Sequence, residues 1–399
     1  MSGGFAQRTG NDGAALVVAL FAVMILTALV VTFASVARTD ALLAGNRAAA
    51  LQAFYAAQSG LNYCRGVLAA DDAAMDSAAD EWAQVAENAP GLDIPGFTVS
   101  SVIEDESARL NVNTATRDML MALPGMTEEA ADGILDWRDS DDEPRPLGAE
   151  SDYYLALPSP YQPANGPFET VDQLRLVRGV DAALFEGDGS ETSPGLRSLV
   201  TVRSGERNVD AAGRARLNIN TANPAQLAAR LGDILTGEEL AAVERRIRQG
   251  RLESLGDALS ITGVPWRSMA QTLDRIRVDD RDFAEGRVNF NTASETVLEA
   301  IGLPAEVVQA LLDRRGDEPL RSPGELAEVA GVTREIMRAV ADRVATKSSI
   351  FRVTASAQAE TRPLRAGVLA VVDRSGQAPR LILWREDFSP PAGQAGPQE

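Results

Sequence analysis

Histidine is missing from this sequence of 399 residues, and Cys64 is the only cysteine. Without histidine the chain has neither the most common general base nor the most common zinc ligand, which excludes Ser–His and Cys–His catalytic pairs. A single cysteine excludes a disulfide within the chain, and on an apolar helix it is usually a small buried hydrophobe. The phosphate-binding loop motif, the dinucleotide-binding glycine motif and the nucleophile elbow are absent as well. These absences argue against an enzyme.

Basic residues are scarce relative to acidic ones. The chain has 38 lysine and arginine residues against 57 aspartate and glutamate residues, which gives a formal net charge of −19. General binding to a phosphate backbone needs clustered positive charge, so this balance disfavours it. The hydrophobic fraction of 45% is ordinary for a packed protein. The length leaves room for two or three domains beside an anchor.

Charge is missing altogether from the 24 residues between Ala14 and Ala37. As a helix this segment would be about 36 Å long. The hydrocarbon core of a bilayer is about 30 Å thick, so residues 14–37 are predicted to span a membrane. A buried core helix is the alternative, but uninterrupted apolarity on every face is rare in soluble domains at this length.

The apolar run continues, without a proline or a turn cluster, into an alanine- and leucine-rich segment that reaches Ala70. A cleaved export signal has a shorter apolar core with a small-residue cleavage site behind it, so this pattern indicates one continuous helix that leaves the membrane. Residues 38–70 would form its part outside the bilayer. An apolar strip along the helix is predicted to contact partners. The predicted contact residues are Val18, Leu42, Leu51, Phe54, Tyr55 and Leu61.

Alternating apolar and polar residues indicate strands in two distant parts of the chain. FTVSSVIEDES begins at Phe97, and IFRVTASAQAE, LRAGVLAVVDRS and LILWRED lie near the other end. Residues 71–113 and 286–388 are therefore predicted to form a small α+β core with an antiparallel sheet. The tail, 389–399, is rich in proline and glycine and is predicted to be disordered.

A heptapeptide occurs three times between these strand segments. R-L-N-V-N-T-A spans residues 109–115, and its variants span 216–222 and 287–293. Each copy predicts a short extended segment whose Asn-Thr-Ala then caps a helix. A turn and a second helix follow, as in helix-hairpin-helix units. The repeats predict an inserted α-helical domain at 114–285, with the third repeat, 287–346, as a candidate extension of it.

Acidic residues crowd the segment after the first repeat's helices. The cluster comprises Asp136, Asp139, Asp141, Asp142, Glu143, Glu150 and Asp152. Carboxylates at this density repel one another unless they are solvated or neutralised, and hard oxygen ligands in a flexible loop suit Ca²⁺. Zinc is disfavoured because the chain offers neither histidine nor a second cysteine. The alternative is a solvated acidic loop that pairs with neighbouring arginines.

The polar segment Met1–Gly13, followed directly by an apolar helix, resembles the type IV pilin-like proteins called pseudopilins. The resemblance implies a leader peptide, 1–13, that a prepilin peptidase removes between Gly13 and Ala14, with methylation of the new N-terminus. Val18 stands where the family has a glutamate, at the fifth mature position. A buried glutamate is costly unless it pairs with the N-terminus of a neighbouring subunit. Its absence points to a subunit at the tip of a filament rather than in the shaft.

The segments DWRDSDDEPRPLGAESDYY and YQPANGPFETVDQLRLVRGV look like the K-type minor pseudopilins of the type II secretion system. This resemblance implies an α+β pseudopilin fold, in which a long N-terminal transmembrane helix and a small antiparallel sheet carry a large inserted domain of helix-hairpin-helix or SAM-like units. It implies a non-enzymatic, single-pass protein of the bacterial inner membrane, with its N-terminus cytoplasmic and its bulk periplasmic. The implied partners are the I-, J- and H-type minor pseudopilins and the inner-membrane secretion platform.

The K-type family binds calcium in its helical domain. The resemblance therefore implies a Ca²⁺ site in the acidic cluster, with Asp139, Asp141, Glu150 and Asp152 as the expected ligands and no obligatory cofactor. Two other functions stay open. An inner-membrane-anchored DNA-binding or DNA-uptake protein would use the hairpins, but the first hairpin carries the acidic sequence MTEEAADGILDWRDSDDE where DNA needs a basic rim, so no nucleic-acid partner is predicted. A membrane-tethered hydrolase would use carboxylates and calcium, but no nucleophile motif favours it.

Overall fold

The computed structural model describes residues 12–88, 92–188, 190 and 194–387. The predicted leader up to residue 11 and the predicted disordered tail, 389–399, lie outside these residues. The helices are α1 (Asp12–Ala70), α2 (Val85–Asn88), α3 (Arg117–Met121), α4 (Glu128–Arg138), α5 (Ser151–Leu155), α6 (Ala182–Glu186), α7 (Leu196–Leu199), α8 (Pro224–Leu231), α9 (Gly237–Gln249), α10 (Leu255–Ala258), α11 (Trp266–Gln271), α12 (Glu295–Ala300), α13 (Ala305–Asp317) and α14 (Arg334–Val340). The strands are β1 (Phe97–Asp105), β2 (Leu110–Asn111), β3 (Val200–Thr201), β4 (Gly205–Arg207), β5 (Leu217–Asn218), β6 (Ile276–Arg277), β7 (Phe283–Glu285), β8 (Val288–Asn289), β9 (Val344–Ala345), β10 (Ile350–Ala359), β11 (Arg365–Asp373) and β12 (Arg380–Asp387). Short 3₁₀ helices span Glu106–Ala108, Val171–Leu176 and Pro323–Glu328.

Helix α1 is 59 residues long and contains the whole predicted anchor, which confirms the prediction of one continuous helix. Residues 13–48 are exposed along their entire length. The second half packs against the sheet and buries Ala57, Leu61 and Cys64. The helix therefore consists of a free apolar stem and a packed base.

A four-stranded antiparallel sheet in the order β1-β10-β11-β12 covers the base of the helix. Val99 on β1 lies opposite Ala357 on β10, and Val353 on β10 lies opposite Ala370 on β11. One face of the sheet and helix α1 share a core that contains Ile103, Val353 and Val372. The predicted small antiparallel sheet built from distant segments is thereby confirmed.

The helical insertion is larger than the sequence predicted. Strand β1 ends at Asp105 and β10 begins at Ile350, so residues 106–349 all lie between these two neighbouring strands. The predicted boundaries, 114–285, are wrong because the third repeat also closes on itself before the chain returns to the sheet. Residues 286–349 belong to the insertion, not to the sheet core.

The first and last segments of each repeat lie side by side. The extended part of its heptapeptide pairs in parallel with a short strand at the end of the repeat: β2 with β3, β5 with β6 and β8 with β9. Helical hairpins fill the chain between the paired strands, and one continuous hydrophobic core runs through all three repeats. This core is separate from the one under helix α1.

The residue that caps each hairpin follows the heptapeptide instead of lying within it. Thr116, Asn223 and Ser294 accept the N–H groups of Met119, Gln226 and Val297. The predicted caps at Asn-Thr-Ala are therefore wrong. The first asparagine of each heptapeptide has a different task, because its side chain accepts the N–H two residues later, as Asn111 does from Asn113 at 2.9 Å.

Candidate cation site and assembly helix

The loop between helices α4 and α5 brings three carboxylates together. Oxygens of Asp139, Asp141 and Glu150 all lie within 4.8 Å of one another. Asp139 follows the last residue of α4, and Glu150 immediately precedes α5, so two helix ends fix the positions of these two side chains. Glu150 is only 4% exposed, whereas Asp141 is exposed to solvent.

Several oxygens of this group lack a hydrogen-bond donor. Both carboxylate oxygens of Glu150 and Oδ1 of Asp139 are buried and unpartnered among the described residues. Burial, together with repulsion from the surrounding aspartates, raises the pKa of Glu150 to about 7. Unsatisfied buried carboxylates are costly, and a bound cation of the Ca²⁺ class would satisfy them. The residues present therefore fit a calcium ion.

Asp136, at the buried side of the cluster, already has a cation. Arg145 Nη1 lies 2.5 Å from Asp136 Oδ1 and 2.7 Å from Asp139 Oδ2. The loop also passes so close to Asp136 that a Cβ on Gly148 would lie 1.8 Å from Oδ2. Only glycine fits at this position. Asp136 and Arg145 thus hold the loop in place and leave Oδ1 of Asp139 without a partner among the described residues.

Asp152, the fourth expected ligand, is not part of the group. It lies in the first turn of α5, is exposed, and does not share the short oxygen–oxygen distances of the other three. Glu150 is the N-cap of α5, whereas Asp152 is its second residue, so the two side chains leave the chain in different directions. The residue that sequence reasoning missed is Asn165, whose Nδ2 donates to the Asp141 carbonyl at 3.1 Å and whose Oδ1 is buried without a donor. The only signal for it was the turn dipeptide Asn165-Gly166.

Aromatic side chains support the acidic loop from below. The ring of Trp137 lies 5.4 Å from that of Tyr154 and is stacked 6.0 Å from that of Phe168. Trp137 and Tyr154 are buried, so they anchor α4 and α5 on either side of the loop. The carboxylates are therefore presented by a rigid base.

Helix α1 presents the predicted contact residues unequally. Val18, Leu42, Leu51 and Tyr55 are 68%, 61%, 57% and 60% exposed. Leu61 is buried in the core beneath the sheet, and Phe54 packs against Trp384 with ring centroids 6.2 Å apart. The prediction that Leu61 contacts a partner is wrong, because the protein's own sheet covers it. Phe54 is half-buried, and its contact with a partner stays a prediction.

The stem of α1 also meets the physical requirement for a membrane span. Gly13–Ala70 is one helix, and its most apolar window has a mean hydropathy of 3.0 with none of its residues buried. Gly13 and Ala14, the predicted processing site, lie at the start of this helix and are exposed. Peptidase processing itself stays a prediction.

These features are shared with known proteins. Residues 97–187, which contain β1, the first repeat and the acidic loop, match the family model described as type II secretion system, protein K. A protein K from Pseudomonas aeruginosa is 28% identical over 273 residues, which cover 61% of this chain and 75% of that protein. The chain is similar to these K proteins, which confirms the predicted resemblance. The chain is anchored by a single N-terminal apolar helix.

A solved structure confirms the fold of this chain. The GspK-GspI-GspJ complex from enterotoxigenic Escherichia coli matches with a TM-score of 0.53 and 15% identity, over 87% of this chain and 99% of that chain. A different kind of relative, the endonuclease/exonuclease/phosphatase family domain-containing protein 1 of Xenopus laevis, is 32% identical over 181 residues. That match covers 42% of this chain but only 26% of the vertebrate protein.

Proposed function

We propose that this chain is a minor pseudopilin that assembles at the tip of the type II secretion pseudopilus and supports export across the outer membrane. The observation that carries the proposal is the division of α1 into an exposed apolar stem, 13–48, and a base packed under its own sheet. An apolar stem that its own chain does not cover needs lipid around it before assembly and partner helices around it after assembly. The partners are other minor pseudopilins of the I, J and H types and the inner-membrane platform.

Two features support a position at the tip of the filament: the missing carboxylate at Val18 and the size of the helical insertion. Val18 cannot supply a carboxylate to the N-terminus of a neighbouring subunit, so the electrostatic link of a shaft subunit is missing. The insertion, 106–349, adds a helical head to a small sheet on a single stem. Such a head opposes the addition of a subunit above it. The N-terminus would be cytoplasmic and the head periplasmic.

We propose further that Asp139, Asp141 and Glu150 bind Ca²⁺. The orphaned oxygens of Glu150 and Asp139 support this site. The ion would neutralise the repulsion in the loop between α4 and α5 and fix it on its aromatic base. This would be a structural role, and none of the residues acts on a substrate.

Assembly is tested by co-purification of the full-length chain with its I- and J-type partners. We expect Leu51→Asp to abolish co-purification because the charge would lie in the helix–helix contact. Leu176→Asp is the matched control, since Leu176 is 45% exposed on the head and far along the chain from α1. If Leu51→Asp co-purifies as well as the control, α1 is not the assembly surface.

Processing of the leader is tested by N-terminal sequencing. Protein made together with the prepilin peptidase should begin at Ala14.

A further inference from the structure

A large cavity lies between the second and third repeats, far along the chain from the acidic loop. Its volume is about 860 Å³, and residues of the β6–β7 segment and of α14 line it. Six arginines contribute to the lining: Arg251, Arg277, Arg281, Arg287, Arg338 and Arg343. In a chain with a net charge of −19, this is a local reversal of charge that needs an explanation.

Arg287, at the floor of the cavity, belongs to a buried charge cluster. Arg216 and Arg287 both donate to Glu206 Oε1, at 2.6 and 3.0 Å, and Lys347 Nζ lies 4.0 Å from Oε2. Asp274, 3.3 Å from Arg216, is a second carboxylate of the cluster. Two arginines thus share Glu206, and Arg287 extends the cluster to the wall of the cavity.

The arginines above the floor have donors to spare. The side chain of Arg338 forms no hydrogen bond or ion pair with the described residues, while the side chains of Arg251 and Arg343 donate only to the carbonyls of Val278 and Ile301. Nε of Arg277 is buried without an acceptor. Its ion pair with Asp282, at 3.6 Å, involves a fully exposed carboxylate and is weak.

The acidic residues of the lining do not cancel this charge. Asp342 accepts the main-chain N–H groups of Leu255 and Gly256, and Asp279 is paired with Arg281 at 2.6 Å. Glu253 and Glu285 are exposed to solvent. The lining thus has six arginines against four carboxylates, and an incoming anion would meet a net excess of positive charge.

We propose that this cavity binds a polyvalent phosphate-type anion. Guanidinium groups present paired, coplanar donors that match the oxygens of a phosphate, and several arginines together favour a ligand with more than one negative charge. Arg277 belongs to the second repeat, and Arg338 and Arg343 belong to the third. The bound anion would therefore cross-link two repeats of the insertion. This site is independent of the assembly helix and of the cation loop.

The test is a calorimetric titration of the full-length chain in detergent with pyrophosphate at low ionic strength. Citrate at equal ionic strength distinguishes phosphate from polycarboxylate recognition. Arg338→Gln removes an exposed arginine of the cavity, and we expect about tenfold weaker pyrophosphate binding because one charge-assisted contact is lost. Arg245→Gln is the matched control, since Arg245 is an exposed arginine of α9 outside the cavity.

Binding of pyrophosphate that Arg338→Gln weakens and Arg245→Gln does not would support the proposal. No heat with pyrophosphate up to millimolar concentration would overturn it. Equal loss in both variants would also overturn it, because it would reveal general attraction to surface charge. Tighter binding of citrate than of pyrophosphate would show that the ligand is not of the phosphate class.

Discussion

The side chain of Asn113 and the main chain of Phe168 exchange two hydrogen bonds. Nδ2 donates to the Phe168 carbonyl at 2.9 Å, and the Phe168 N–H donates to Oδ1 at 2.8 Å. Nδ2 also donates to the carbonyl of Val202 at 3.0 Å. One amide thus joins the heptapeptide to the second hairpin and to the end of the repeat. Asn220 and Asn291 make the corresponding pair of bonds with Leu252 and Leu320.

These asparagines should therefore determine the stability of the repeats. Asn291 is 3% exposed, so Asn291→Ala would leave the N–H and carbonyl of Leu320 buried without partners. We expect a loss of about 2–4 kcal/mol, measured by thermal unfolding. Asn291→Asp keeps the acceptor but puts a carboxylate oxygen against the Leu320 carbonyl in a buried place, so we expect a loss at least as large as that of Asn291→Ala. Asn62→Ala, at an exposed position of α1, is the control; equal effects of the Asn62 and Asn291 variants would contradict this role.

The sequence pattern identified the repeats but not the task of each residue in them. R-Φ-N-Φ-N predicted a short extended segment correctly, because alternation is a local property. The partners of the second asparagine lie 29 to 89 residues away, so only the folded chain reveals them. The same reason explains Leu61, which is as apolar as Leu51 but lies on the face that the distant β10 and β11 cover.

The proposed cation site shows a second limit of sequence. The density of acids indicated where a cation could bind, but Asp136 is neutralised by Arg145, and Asp152 is not among the carboxylates that converge. Which carboxylates converge depends on the path of the loop past Gly148, and no spacing rule describes that path. Glu150 was predicted correctly among the converging carboxylates, although its burial was not predicted.

Glu150→Gln should abolish the proposed calcium binding. The variant keeps the shape of the side chain but removes the charge of a buried carboxylate that has no other partner. We expect at least a tenfold weaker affinity for Ca²⁺ by calorimetry, and no rise in melting temperature on adding the ion. Asp152→Asn removes a neighbouring acid outside the convergent group and should bind Ca²⁺ like the parent. The reverse order of effects would show that the ion lies elsewhere.

Replacement by alanine should change the stability of the protein in opposite directions at two glycines of α1. A Cβ on Gly60 would lie 2.5 Å from Ser101 Oγ and 3.0 Å from a methyl group of Val99, because the helix touches β1 there. Gly66 has nothing within 4 Å of the same position. Gly66→Ala should stabilise the protein by up to about 1 kcal/mol through helix propensity, whereas Gly60→Ala should destabilise it despite the same gain. Thermal unfolding of the two variants measures the difference, and stabilisation by both would place the helix farther from the sheet.

Cys64 should report whether the base of α1 ever leaves the sheet. The side chain is fully buried, and burial raises the pKa of its thiol to about 11. At pH 8 only about one thiol in a thousand would be ionised, against roughly a quarter for a free cysteine. Alkylation by iodoacetamide should therefore be negligible in the folded chain and fast in urea, with Cys64→Ala as the blank. Alkylation in the folded chain would require local opening, because otherwise the reagent cannot reach the thiol and the thiol stays protonated.

The effect of the I- and J-type partners on the alkylation rate separates two modes of assembly. If the partners leave the rate unchanged and slow, the base of α1 stays docked on the sheet and only the exposed stem takes part in assembly. Rapid alkylation that the partners suppress would contradict this division, since it would mean that the helix separates from its own sheet and is held by the partners instead.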